Sequence, residues 1–342
     1  MSCARKDSLC TLLWPPRASL LFCLLLLHAF ARVCALMSFL CDLACSSWCL
    51  SPILHPPPSP SHLSQEGLAL MCTKATWSLA VHSAFWIQTS SCEVVTPGAW
   101  DLFIADLDEA EAAVAAGGER KNPVFILSNH VSFMDTLLIV VYTPAKVLWR
   151  IRCYMGAHLF KLPLFSTICK VLGHFPVYFL KDEDGKFGLD KERMVAVEEK
   201  VGQHLSNGGV LSLFPEGIMN RAADPKDLNT FRHGTFKRAL LEDAKIWHFV
   251  MYGHHKVWPV KAAIGGMPAK TGLALHPLSR KGAKATLADL TKGDANFKSC
   301  ETGSTEDFVI LAEYAKVQMQ KEYDALAAFV ENGNKSKGKK TD

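Results

Sequence analysis

A histidine and an aspartate five positions apart, His130 and Asp135, stand in "FILSNHVSFMD" (125–135), directly after an apolar run. An imidazole and a carboxylate are the side chains of a general base and of the group that orients it. Residues five apart on one helix lie about 140° around the axis and would not meet. If the helix starts at Ser132, however, His130 lies in the turn before it and Asp135 one turn inside. The carboxylate can then reach back to one ring nitrogen and leave the other facing a crevice. The same residues also read as a helix start. Ser132 and Asp135 form S-x-x-D ahead of an apolar run, a capping-box pattern with its acid at the positive helix end. Both readings need the same backbone and are compatible.

A second carboxylate stands in a comparable place. "LSLFPEG" (211–217) runs from an apolar strand into Phe214, Pro215, Glu216 and Gly217. Ligands of open α/β sheets bind beyond the carboxyl ends of strands, so Glu216 and His130 could project into one crevice. Alone, a Glu after a Pro reads as a solvated turn; the two motifs together point to a site. The sequence carries no GxSxG elbow, Walker A loop, GxGxxG or HExxH. Neither a covalent serine intermediate nor a metal or cofactor is therefore expected.

"NHVSFMD" followed by "FPEG" resembles the glycerophospholipid acyltransferase family, whose best-known members are the 1-acylglycerol-3-phosphate acyltransferases. The resemblance covers roughly residues 68 to 285, with four blocks in order. They are Asn129-His130 to Asp135, "GHFPVYF" (173–179), Phe214 to Gly217, and "VWPV" (257–260). "FRHGTF" (231–236) resembles the family's stretch between its third and fourth blocks. The resemblance implies that His130 deprotonates an acceptor glycerol hydroxyl, which attacks the thioester of acyl-CoA directly. Asp135 would orient the imidazole, and Asn129, Phe214, Pro215, Glu216 and Gly217 would help bind substrate. Two positions depart from the family pattern. The second block commonly carries an Arg for the acceptor phosphate, where this chain offers only Lys181. An Arg usually follows the third block by two residues, where this chain has Met219 with Arg221 close by. The acceptor headgroup is thereby left open, with lysophosphatidic acid first and a lysophosphatidylcholine-type remodelling substrate second. A non-catalytic, membrane-anchored lipid-binding protein on the same fold is the rival of another class.

The elements that must position these residues are legible from residue 100 onward. "VFIL" (124–127), "PVYFL" (176–180), "VLSLF" (210–214) and "VWPVKAAI" (257–264) are short apolar runs, the form of strands buried on both faces. Asp190 can cap a helix whose Met194, Val197, Val201 and Leu205 recur at helical spacing and which "NGG" stops. Residues 306–330 read as a long amphipathic helix, followed by a basic tail. Strand–helix alternation predicts an α/β fold: a mixed β-sheet covered by helices, with one or more membrane-associated helices at the N-terminus.

The whole chain has 342 residues, a net charge of +4 and 49% hydrophobic residues, which carries no nucleic-acid signature. Nine of its 12 cysteines lie within residues 1–92, so the main domain is expected to be reduced and unstapled. Cys41, Cys45 and Cys49 read as small apolar filler, with palmitoylation or metal binding as alternatives. Residues 1–50, with a basic lead and the run "ASLLFCLLLLHAFA" (18–31), fit a targeting or signal-anchor segment. Residues 51–65 form a Pro/Ser linker, 66–290 an acyltransferase-like domain opening on a membrane-associated helix (67–87), and 291–342 the C-terminal helix and tail. Residues 136–181 contain six cations and no acid, a surface suited to anionic lipid; a buried basic face is the alternative. The expected partners are acyl-CoA as co-substrate, a lysophospholipid acceptor and a membrane surface, in the endoplasmic reticulum or another endomembrane.

Overall fold

A computed structural model describes residues 87–332 apart from 116–121, 162–165, 167–168, 171, 182–186, 223, 263–267 and 295–296, and also residues 71, 74, 75 and 78. The expected targeting segment, the linker, nearly all of 67–87 and the tail beyond 332 lie outside the described residues. Ile87, which closes that apolar stretch, opens a strand, so the expected helix does not run through it. Among the described residues no helix is long and apolar enough to cross a membrane.

The described residues from Ile87 onward form one compact unit. In chain order it holds β1 (Ile87–Ser90), α1 (Cys92–Val95), α2 (Ala99–Ala115), β2 (Val124–Ser128), α3 (Met134–Tyr142) and α4 (Ala145–Leu148). Next come β3 (Ile151–Gly156), β4 (Phe175–Val177), β5 (Phe179–Lys181), β6 (Phe187–Leu189), α5 (Lys191–Ser206) and β7 (Val210–Leu213). The chain continues through α6 (His233–Leu241), β8 (Lys245–Tyr252), α7 (His254–Val257), β9 (Ala269–Ser279), α8 (Ala283–Thr291) and α9 (Asp307–Asn332). Seven strands form one sheet in the order β1-β9-β8-β2-β7-β3-β4, and β5 pairs with β6 in a separate hairpin. Every neighbour in the large sheet is parallel except β8 and β9.

The central strands alternate between two apolar layers, as a pleat with both faces covered requires. Phe125 and Leu127 of β2, Leu211 and Leu213 of β7, and Ile246 and Val250 of β8 enter the layer under α5, α6 and α9. Val124, Ile126, Val210, Trp247, Phe249 and Met251 point to the other layer, where α2 adds Trp100, Phe103 and Leu107. Each fully buried side chain of this size contributes roughly 1.5–3 kcal/mol. Helix α9 is part of this core. Leu311, Ala315, Met319, Tyr323, Leu326 and Val330 recur at helical spacing and are buried. Its closeness to the sheet needs Gly272, where a Cβ would stand 2.5 Å from Val330 and 2.8 Å from Leu326.

Two expected strands are corrected. In the expected strand 257–264 the described residues, 257–262, are not a strand: Val257 ends α7, and the following residues turn, with Trp258 Nε1 donating to Ala262 O at 3.2 Å. Pro259, with no N–H, could not have joined a central ladder. The run 176–180 is split, because β4 ends at Val177 on the sheet edge and Phe179 begins the hairpin. An edge place suits Pro176, which has no donor to offer a further strand.

Candidate functional site

Three neighbouring parallel strands, β8, β2 and β7, end on the same side of the sheet, and the turns after them converge. Asn129, the first residue beyond β2, is fully buried. Its Nδ2 donates to Met251 O and its Oδ1 accepts from Met251 N, both at 2.8 Å. A side chain thus continues the β2–β8 ladder, and the main chain is released to turn at His130. That backbone is then fixed from the β7 side. His130 N donates to Glu216 Oε1 at 2.9 Å, and His130 O accepts from Asn220 N at 2.7 Å.

Asp135 lies in the first turn of α3 with no exposed surface. Its Oδ2 is 2.9 Å from His130 Nδ1 and accepts from the N–H groups of Val131 (2.7 Å) and Ser132 (2.8 Å). Ser132 Oγ in turn accepts from Met134 N at 3.2 Å, so the turn that leads into α3 and the His–Asp pair share one backbone, although α3 begins at Met134 with no side-chain cap at Phe133. Burial acts to raise the Asp135 pKa. Hydrogen bonds from His130 and His254 overcome it and hold the carboxyl at about 2. With Nδ1 committed to a carboxylate, Nε2 is the ring nitrogen left for an incoming group. The His130 side chain is 19% exposed, and its ring stacks on Phe214 with centroids 4.1 Å apart.

The remaining expected residues fall into two groups. Glu216 is 1% exposed, and both its oxygens are engaged by main chain, Oε1 by His130 N and Oε2 by Asn229 N at 2.9 Å. Burial raises its pKa, and those two amides oppose the shift. Asn129 and Glu216, expected to touch substrate, are instead occupied in shaping the turns; Pro215 is buried beside them. Phe214 is half-buried at the ring of His130, and Gly217 (φ +71°) and Arg221 are exposed on the loop after β7. Lys181 lies on the β5–β6 hairpin, outside the large sheet.

Two residues at the site were not singled out from sequence. Arg232 N donates to Pro215 O at 2.6 Å, and its stem covers Gly217, where a Cβ would meet Arg232 Cγ at 3.0 Å. It is an exposed cation beside the crevice, and only its place in "FRHGTF" hinted at it. His254, just beyond β8, has its Nδ1 2.8 Å from Asp135 Oδ1. No local pattern marks it. Among the described residues, no group of three or more His, Cys, Asp or Glu side chains is placed to hold a metal ion.

A family model described as "Acyltransferase" matches residues 109–252, which contain both the His130–Asp135 and the Phe214 to Gly217 segments. The 1-acyl-sn-glycerol-3-phosphate acyltransferase of Borreliella burgdorferi is 26% identical over 160 residues, 46% of this chain and 57% of its own length. The chain therefore spans just over half of that curated relative. The crystal structure of the 1-acyl-sn-glycerophosphate (LPA) acyltransferase PlsC from Thermotoga maritima shares the fold. Its TM-score is 0.51 at 16% identity, covering 89% of this chain and 96% of that one. Over residues 109–252 this chain is thus similar to acyltransferases, and its fold is that of PlsC.

Proposed function

We propose that the protein transfers a fatty acyl group from acyl-CoA to the free hydroxyl of a lysophospholipid, with lysophosphatidic acid the first candidate acceptor. The observation that carries this reading is the 2.9 Å contact between His130 Nδ1 and the buried Asp135 carboxylate, at the carboxyl ends of adjacent parallel strands. Nε2 takes the proton from the acceptor hydroxyl as its oxygen attacks the thioester carbonyl. Asp135 stabilises the imidazolium that forms. When the tetrahedral adduct collapses, the C–S bond breaks and the thiolate takes that proton, leaving ester, free thiol and neutral imidazole. Phe214 flanks the ring and excludes water from one face. The exposed guanidiniums of Arg221 and Arg232 are the cations available to an acceptor phosphate now that Met219 stands two residues after Gly217.

The substrates are membrane lipids, so the same reading puts the protein on an endomembrane surface. Two features support it. The β5–β6 hairpin exposes Phe179, Leu180 and Leu189, and Trp149 is 63% exposed. Lys146, Lys161 and Lys170 of the acid-free stretch are exposed as well.

The test offers purified protein acyl-CoA with a panel of lysolipids and follows thiol release. Lysophosphatidic acid should give the fastest release, and His130→Ala should lower it on the order of 10²–10⁴-fold with the fold intact. Fastest release with lysophosphatidylcholine would reassign the acceptor. Equal release by wild type and His130→Ala would remove His130 as the base, and no release above the protein-free background would leave only a lipid-binding role.

A further inference from the structure

Asp135 is held from two sides, and the second side belongs to a residue with no place in the mechanism above. Three donors crowd Oδ2: His130 Nδ1 and the N–H groups of Val131 and Ser132. Oδ1 has one partner, His254 Nδ1 at 2.8 Å, and neither side chain of this pair has any exposed surface. His254 arrives there through a constrained turn. Gly253 sits at φ +83°, and a Cβ on it would stand 2.3 Å from Lys270 O, so glycine alone fits. The same short helix is tied to the start of α3 a second time, by Ser132 Oγ donating to Trp258 O at 2.7 Å.

A core histidine satisfied by a chance carboxylate is the plainer account, and His254 Nε2 argues against it. That nitrogen is buried and has no hydrogen-bond partner among the described residues. An apolar side chain of similar size would fill the space without burying an unpaired polar atom, so packing alone does not call for histidine here. What histidine supplies is the ring N–H at Asp135.

We propose that His254 is a positioning residue: its Nδ1–H fixes the second oxygen of Asp135, so that the first stays aimed at His130 Nδ1 and His130 keeps Nε2 as its free basic nitrogen. The proposal rests on the reading of His130 as general base. Without His254, Oδ1 would be left with no partner in a buried place, and the carboxylate could rotate away from His130.

The test uses the full chain with ring-labelled histidine, assigned with His130→Ala, and follows the His130 ring by nuclear magnetic resonance. His254→Asn keeps an N–H close to the Nδ1 position. His254→Leu removes it, and His254→Gln moves it one methylene farther. The other titratable and charged groups near this cluster are His255, Lys256, Asp224, Tyr252 and Tyr323, and all are retained in every variant. The His130 ring nitrogens should show the Nδ1–H tautomer in wild type and in His254→Asn, and that tautomer should lose its dominance in His254→Leu. In turnover, kcat should fall on the order of 10- to 100-fold in His254→Leu, the scale of a misplaced catalytic group, with both KM values within about twofold. Asn should restore most of the rate and Gln little of it. If His254→Leu does not fold, the Asn and Gln variants alone decide. A His130 tautomer and kcat that are unchanged in folded His254→Leu, or Asn and Gln variants that behave alike, would overturn the proposal. Absence of transfer by the wild-type chain with every lysolipid would strike the functional reading instead, and the His130 tautomer would still decide this one.

Discussion

At residue scale, the His130–Asp135 pair was legible because its two members sit in a local pattern: a strand end, a serine in the turn and an acid at the start of the helix. Glu216 was found but its work was not, since its partners lie 86 and 13 residues away. Its geometry makes a prediction that an acceptor ligand would not. Glu216→Gln presents an amide to one of the two N–H groups that the carboxylate now receives. It should loosen the His130 turn, costing about 1–3 kcal/mol of stability and about tenfold in kcat for every acceptor. A rise confined to acceptor KM would return Glu216 to substrate binding. Asp135 makes a prediction in acid. Its folded pKa of about 2 lies below the ordinary 3.8, so it stabilises the fold above pH 4 and that contribution is lost as pH falls toward 2. The amount is on the order of 2 kcal/mol, at about 1.4 kcal/mol per pH unit. Denaturant unfolding between pH 2 and 6 should show a shallower acid slope for Asp135→Asn; parallel slopes would contradict the depressed pKa.

At the scale of elements, periodicity served where a segment's partners are generic and failed where they are specific. The apolar runs of β2 and β7 and the helical spacing of α5, with Asp190 accepting from Arg193 N at 3.1 Å, appear where expected. Strand β8 was missed because Lys245 and His248 interrupt its apolar run. Their partners are remote: Asp106 and Glu109 receive Lys245 at 3.3 and 2.6 Å, and Glu322 receives His248 at 2.8 Å. The turn after β8 is the element most exposed to a small change. Gly253→Ala places a methyl group against Lys270 O at an unfavourable φ, which costs at least about 1–3 kcal/mol. For a domain of this size that lowers Tm by about 2–4 °C per kcal/mol, and calorimetry would show it. An unchanged Tm would mean that the turn relaxes without strain.

For the whole molecule, the short apolar runs and their alternation with helices foretold a covered sheet, and the acid-free stretch could not foretell which of its basic residues face outward. Arg152 is half-buried with its guanidinium packed over Gly173, where a Cβ would stand 2.7 Å from Cζ. The exposed cations Lys146, Lys161 and Lys170 are therefore the ones to reverse. Glu at all three should weaken binding of the full chain to anionic vesicles by about 1 kcal/mol for each cation lost, with Tm unchanged. The difference from wild type should shrink as salt rises. Equal binding by both proteins at low salt would remove the basic stretch from any membrane-facing surface.

The strand order also has a consequence for synthesis. β2 is made first and lies between β7 and β8, which follow it in the chain. A nascent chain ending within β3 already holds His130 and Asp135, yet lacks Glu216, Asn220 and His254, the residues that hold the pair in place. Since chains emerge N-terminus first, the His130–Asp135 pair exists for a time without its supports. The crevice is completed only when the ribosome has passed residue 254 and the last of the three parallel strands has found its neighbour.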